Sequence, residues 1–252
     1  MRRVAERILV MADVHANLAA LEAVLEAAEG CEACIFLGDI VGYGPQPLQC
    51  VRLLREFSAT MPTEIVLGNH DSGGLEADPG NDGTAIANGS EWDAWTARQL
   101  GADDRAWLAQ FPQQATTDIV GMAATMQHYL RVTSSHIDDG ALADEVDRAA
   151  QVTDTPGLLF GHYHRQVDTS VHGTRCINPG SVGQQRGGCP EARFAVCEAG
   201  CIDFRHVQYG VESTIAALSD IPMSERYARV WGENYRLGIV DLAAEREIAR
   251  NQ

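Results

Sequence analysis

Six residues of this chain have the types and spacing to grip metal ions: Asp13, His15, Asp39, Asn69, His162 and His164. They fall in four short motifs: Asp13-Val14-His15, Gly38-Asp39, Gly68-Asn69-His70-Asp71 and Gly161-His162-Tyr163-His164. In an extended segment the side chains at i and i+2 point to the same side. Asp13/His15 and His162/His164 are such pairs, and each is expected to close on one ion. The donors are oxygen and nitrogen with no thiolate. That set suits Mn, Fe, Zn or Ni better than Ca or an iron–sulfur cluster. Six donors exceed the needs of one ion, whereas two ions bridged by a carboxylate would use them all. Each motif alone is common in proteins that bind no metal. The signal is the order of all four, each just after an apolar run.

The elements that must position these motifs follow from the hydrophobic pattern. Residues 7–12 read as a buried strand. Asn17 suits an N-cap, Leu18, Leu21, Val24, Leu25 and Ala28 share one helical face, and Gly30 stops that helix. Residues 33–37 and 64–67 read as further strands, with a helix opened by Pro47 running to about Phe57 between them. This alternation predicts parallel strands joined by crossover helices. In such sheets ligands bind beyond the carboxyl ends of the strands, so the four motifs converge. Residues 72–90, rich in Gly, Asp and Asn, read as a loop. Residues 91–111, with Trp92, Trp95 and Trp107, read as two short helices. The next elements expected are a strand at 118–127 and a helix at 141–150. Short strands follow at 157–160, 166–171, 175–177, 192–197 and 202–207, then helices from about 210 to 250. With no repeat or linker, residues 1–252 read as a single α/β domain built on two sheets.

Composition narrows the function. Acidic residues number 35 against 19 basic ones, for a net charge of −16. Every basic residue is Arg; there is no Lys. That excludes Schiff-base chemistry and the phosphate-binding lysines of P-loops and kinases. The negative charge argues against stable nucleic-acid binding, which needs a basic face. If the substrate is also anionic, Arg or bound metal must supply local positive charge. Seven irregularly spaced cysteines read as reduced thiols of a cytoplasmic protein. Cys31 and Cys34 lack the second pair a zinc knuckle needs and are expected to pack in the core. The first apolar run, residues 8–12, is too short for a signal peptide or membrane span.

The motifs D-V-H-A-N (13–17), G-D-I-V-G-Y-G-P-Q-P (38–47), G-N-H-D (68–71), G-H-Y-H (161–164) and N-P-G-S-V-G-Q-Q-R (178–186) together resemble the calcineurin-like metallophosphoesterases. The likeness is to their small bacterial and archaeal phosphodiesterase branch and covers most of the chain. It implies an α/β/β/α sandwich with a small helical insert at about 82–112. Asp13, His15 and His164 would hold one divalent ion, Asn69 and His162 the other, and Asp39 would bridge both. The family's further mid-chain histidine corresponds to His128, although Tyr129 stands where the family has Gly; His136 is the fallback.

The resemblance also implies the reaction. Two ions clamp the phosphate while a water held between them attacks phosphorus in line. His70 would stabilise the transition state or protonate the leaving oxygen. Asp71 either orients His70 or caps a loop. Arg186 either reaches a substrate phosphate or pairs with surface acids. Tyr129 and Tyr163 either narrow the site and stack on a base, or point away. His172 and His206 are expected to be ordinary, partly buried histidines, and Asp103-Asp104 and Asp138-Asp139 solvated turns. The tryptophans are expected to pack a small subcore rather than a base-stacking lid. The function implied is hydrolysis of phosphodiester or nucleotide phosphate bonds in a small substrate, with dinucleoside polyphosphates as a variant. A protein phosphatase and a non-catalytic metal scaffold rank lower.

Overall fold

Strand β1 (Arg7–Met11) carries apolar residues on both faces, because both are buried. Ile8 and Val10 pack between two sheets, against Ile119, Met126, Leu159 and Ile177. Leu9 and Met11 point the other way, toward Leu21 and Val24 of α1 (Leu18–Ala27) and Val51 and Leu54 of α2 (Pro47–Thr60). The period-two alternation of a strand therefore builds two cores at once. The computed structural model describes residues 5–78, 86, 89–130 and 139–241. His136, Asp138, part of the expected insert and the tail beyond 241 lie outside the described residues.

The first sheet has the order β10-β9-β1-β2-β3, and the second β4-β5-β6-β8-β7. In the first, β2 (Ala33–Phe36) lies parallel to β1 and to β3 (Thr63–Ile65). The antiparallel pair β9 (Ala192–Glu198) and β10 (Cys201–Val207) completes the far edge. The second sheet has a parallel centre of β5 (Met122–Gln127), β6 (Gly157–Phe160) and β8 (Thr174–Pro179). Its antiparallel edges are β4 (Gln114–Ile119) and β7 (Gln166–Val171). Helix α6 (Asp139–Val152) covers the outer face through Leu142, Val146 and Ala149, against Leu158, Phe160 and Cys176. The layers are thus helix, sheet, sheet, helix, as expected. Cys31 and Cys34 are core residues of the first sheet and its helices.

Two expected elements differ. Residues 69–76, within a stretch dominated by loop-forming residues, form helix α3 (Asn69–Glu76). Asp71 caps it by accepting the Gly68 amide at 3.0 Å. Arg105 of α5 (Ala102–Ala109) closes the other end by donating to the carbonyls of Gly74 and Leu75. The glycines serve close packing on α4 (Gly89–Gln99): a Cβ at Gly73 would lie 2.5 Å from an Asp93 oxygen. The second difference is at 118–127, where a hairpin replaces one strand. Val120 and Gly121 turn it with positive φ, and Asp118 Oδ1 accepts the Gly121 amide at 2.6 Å. Apolar residues running through the turn disguise it in the sequence.

Helices α7 (Val211–Ala217) and α8 (Glu225–Leu237) return over the first sheet's end. Trp92, Trp95, Tyr227, Trp231 and Tyr235 form a separate aromatic core there, so the tryptophans of α4 do pack a subcore. Trp107 instead lies edge-on to Phe111. No helix among the described residues is long and apolar enough to cross a membrane.

Asn17 ties three parts together. Its Oδ1 accepts the Ala20 amide at 3.2 Å and the Thr214 hydroxyl at 2.8 Å, while its Nδ2 donates to Gly183 O at 2.9 Å. All this is fully buried. Asn17→Ala removes the cap and strands two further polar groups, so urea denaturation should show a loss of about 3 kcal/mol.

Candidate metal centre

Every sequence-predicted ligand projects from the carboxyl end of a strand. Asp13 and His15 follow β1, Asp39 follows β2, and Asn69 and His70 open α3 after β3. His128 follows β5, and His162 and His164 follow β6. Asp13, His15, Asp39, His162 and His164 all have positive φ, between 46° and 69°. Such backbone costs about 1–3 kcal/mol per residue and gathers where a side chain must be aimed. The turns are laced together. Asp13 N donates to Gly38 O at 2.9 Å, His15 N to Asp39 O at 3.0 Å, and Gly161 N to His128 O at 2.9 Å. From the 178–186 loop, Ser181 Oγ donates to Asp13 O at 2.9 Å and Asn178 Nδ2 to Gly161 O at 2.8 Å.

Two adjoining clusters result. Asp13, His15 and His164 form one; Asp39, His128 and His162 form the other. Within each, ligating atoms lie within 4.8 Å of one another. The extended-pair reading is therefore only half right. Asp13 and His15 share a cluster, but His162 and His164 go to different ones. His15 Nε2 lies 3.1 Å from His164 Nε2, which is 3.3 Å from Asp13 Oδ1. Asp39 Oδ2 lies 3.0 Å from His128 Nε2 and 3.8 Å from His15 Nε2. Asn69 Oδ1 is 2.9 Å from His162 Nδ1.

The surroundings fix which nitrogen faces inward. His128 Nδ1 donates to Leu37 O at 2.6 Å and His164 Nδ1 to Gln184 O, so each turns Nε2 to the cluster. Burial pushes His15 and His164 well below the usual imidazole range, with the Arg186 charge adding to the effect on His164. Burial, then the His128 charge, takes His162 down to about 3. These rings keep the lone pairs a metal needs. Burial also opposes charge on His128, yet Asp39, Asp13 and the Leu37 carbonyl bring it up to about 9. Burial works against Asp39 as well, but His128 and His70 hold it well below the carboxylate range. Carboxylates and ring nitrogens thus converge in a buried cluster, where His128 Nε2 faces Asp39 Oδ2 at 3.0 Å. This donor set fits divalent transition ions.

Residues 7–200 match the calcineurin-like phosphoesterase superfamily domain. The chain belongs to that superfamily. It is 30% identical over 251 residues to the uncharacterized protein MJ0912 of Methanocaldococcus jannaschii, covering 92% of this chain and 98% of that protein. The structure resembles a metallophosphoesterase from Sphaerobacter thermophilus with a TM-score of 0.75 and 30% identity, over 94% of this chain and 100% of that one. It also shares its fold with the hypothetical protein PH1004 of Pyrococcus horikoshii: TM-score 0.77, 19% identity, 89% and 97% coverage.

The other residues sort clearly. His70 sits beside the clusters, its ring centroid 5.5 Å from that of His15. Its Nδ1 meets Asp93 Oδ1 at 3.1 Å, a partner the sequence reading missed because Asp93 lies in the Trp-rich helix outside every motif. Burial opposes charge on His70, but Asp39 and Asp93 outweigh it and raise its pKa. Arg186 donates to Gln184 Oε1 at 3.2 Å, close to His164. Tyr163 is buried with its hydroxyl on Glu145, whereas Tyr129 is 38% exposed with its ring 6.0 Å from His162. His172 and His206 are more exposed than expected and pair with Asp147 and Glu191. Asp104, expected in a solvated turn, is buried in the first turn of α5 and pairs with Arg52.

Asp71 does not touch His70. It accepts four backbone amides: Asp39 at 2.8 Å, Gly68 at 3.0 Å, Ile40 at 2.8 Å and Val41 at 3.1 Å. Burial and the Asp39 charge push it up to about 6, so it remains a carboxylate at neutral pH. Asp71→Asn turns an amide NH₂ against two of these donors. A stability loss of about 3 kcal/mol in urea denaturation is expected, with Asp71→Ala at least as damaging.

Proposed function

We propose that this chain is a two-metal hydrolase of phosphodiester or nucleotide phosphate bonds in small substrates. The observation that carries the reading is the pair of adjoining Asp/His clusters, with His70 at their side. Asp13, His15 and His164 would hold one ion, and Asn69, His128 and His162 the other. The position of Asp39 Oδ2, within 3.8 Å of nitrogens from both clusters, supports its serving both. Divalent ions bound there supply Lewis acidity toward phosphate oxygens and an acidified water.

The chain's own residues do the rest. His70, whose pKa is raised by Asp39 and Asp93, gives a proton to the leaving oxygen. Arg186 pairs with a non-bridging phosphate oxygen. Tyr129 offers an aromatic face at the exposed side of His162, where a nucleobase can stack. A net charge of −16 disfavours nucleic acid as a stable partner.

Purified without chelator, the protein should carry close to two transition ions per chain. Chelation should lower its melting temperature and manganese restore it. At a free metal concentration of about 100 times Kd, the recovered stability is about 2.7 kcal/mol per site. Acidification protonates the imidazoles and should release the ions. With manganese bound, turnover is measured on a monoester, a diester, a cyclic nucleotide and a dinucleoside polyphosphate. His70→Ala should keep the metals and lose about 10²–10⁴-fold in turnover. Inertness of the loaded protein to all four substrates would overturn the hydrolase reading, and absence of metal would overturn the site.

A further inference from the structure

We infer that Asp93 is a positioning residue that fixes the ring of His70 with Nδ1 protonated and Nε2 turned toward the metal centre. The catalytic consequence rests on the hydrolase reading above; the positioning does not. Asp93 Oδ1 lies 3.1 Å from His70 Nδ1, and both side chains are largely buried. The His70 main chain is held separately, its amide donating to Asp39 Oδ1 at 2.9 Å. With the backbone anchored, ring rotation is the remaining freedom, and a carboxylate at one nitrogen removes it.

The space around the pair is cleared by two glycines from different elements. A Cβ at Gly42 would lie 2.7–3.0 Å from Cβ, Cγ and Nδ1 of His70. A Cβ at Gly73 would lie 2.5 Å from Asp93 Oδ2. The opposite side is closed by Tyr43, whose ring meets His70 edge-on at 4.3 Å. Tyr43 in turn stacks on Trp231 of α8 at 5.6 Å. Trp92, the neighbour of Asp93 in α4, is fully buried against the same Trp231 at 5.6 Å. One aromatic core therefore secures both walls of the His70 slot. In the reaction, the Nε2 proton passes to the leaving oxygen as the P–O electron pair moves onto that oxygen. The Nδ1 proton stays on His70 in its hydrogen bond to Asp93 Oδ1, and water reloads Nε2.

The test compares wild type with Asp93→Asn, both loaded with zinc, which is diamagnetic. Imidazole ¹⁵N spectra at alkaline pH should show His70 as the Nδ1–H tautomer in wild type and as a mixture, or the other tautomer, in Asp93→Asn. An unchanged tautomer would overturn the positioning. With manganese bound, nitrophenyl esters need little acid assistance, whereas alkyl esters need it fully. Asp93→Asn should raise the ratio of nitrophenyl to alkyl diester turnover by about tenfold or more, within the range of general acid catalysis. In a His70→Ala background, Asp93→Asn should add nothing, because the two act as one unit. An unchanged ratio, or additive losses, would overturn the catalytic consequence. If loaded wild type is inert to both esters and to the four substrates above, the proposed function falls, and the tautomer spectra still decide the role of Asp93.

Discussion

Two carboxylates and four imidazoles buried within a few ångströms are the constraint on which this structure depends. Desolvation disfavours every charged form, and ring nitrogens forced together repel through their lone pairs. A fold keeps such a group only if its backbone allows no escape, and the left-handed turns at Asp13, His15, Asp39, His162 and His164 do this. Each turn is tied to the next strand's turn rather than to its own element, as in His15 to Asp39 and Gly161 to His128. The cost is met by the strand pairing beneath and by the cores on either side. Divalent cations between the donors would relieve the remaining electrostatic strain.

Asp71 and Asn178 show how far that constraint spreads. Neither faces the centre, yet Asp71 gathers the amides of Gly68, Asp39, Ile40 and Val41 and so sets the distance between two ligand loops. Asn178, in the neighbouring strand β8, does the same for the Gly161 turn that follows β6. A buried charge with four donors is a stronger fixture than a hydrophobic contact, because its geometry is directional. This explains why an acid beside a presumed catalytic histidine has a structural partner set instead.

The parallel strands, their helices and the four motifs beyond the strand ends were legible in the sequence, because each rests on a local rule, whereas His128 followed only from the family likeness. An apolar run gives a buried strand, and a polar cluster beyond its carboxyl end gives a site. What escaped needed knowledge of distant contacts. Helix α3 was hidden by glycines whose smallness matters only once α4 is packed on it. The hairpin at Val120-Gly121 was hidden because apolar residues run through its turn and no Asn-Gly signal marks it. Asp93 carries no motif; only the fold brings it across 23 residues to His70. None of these turns is the extended segment that the i, i+2 pairing assumed, since Asp13, His15, His162 and His164 all have positive φ, which their residue types do not announce.

The acidic character of the chain acquires a role in this light. A net charge of −16 repels an anionic phosphate and attracts divalent cations. Asp13 and Asp39 sharpen that field where the donors converge. Beyond about 8–10 Å, salt screens the outer surface, so what an approaching phosphate meets is set by the local charges alone. Without cations those include two carboxylates, one of them held well ionised, beside the His128 ring and the Arg186 guanidinium. With two divalent ions the local sum reverses, by about four positive charges. On the proposed function, a lysine-free protein would then bind phosphate more strongly when loaded than when empty. On that reading, metal occupancy rather than surface charge would be the condition for substrate binding.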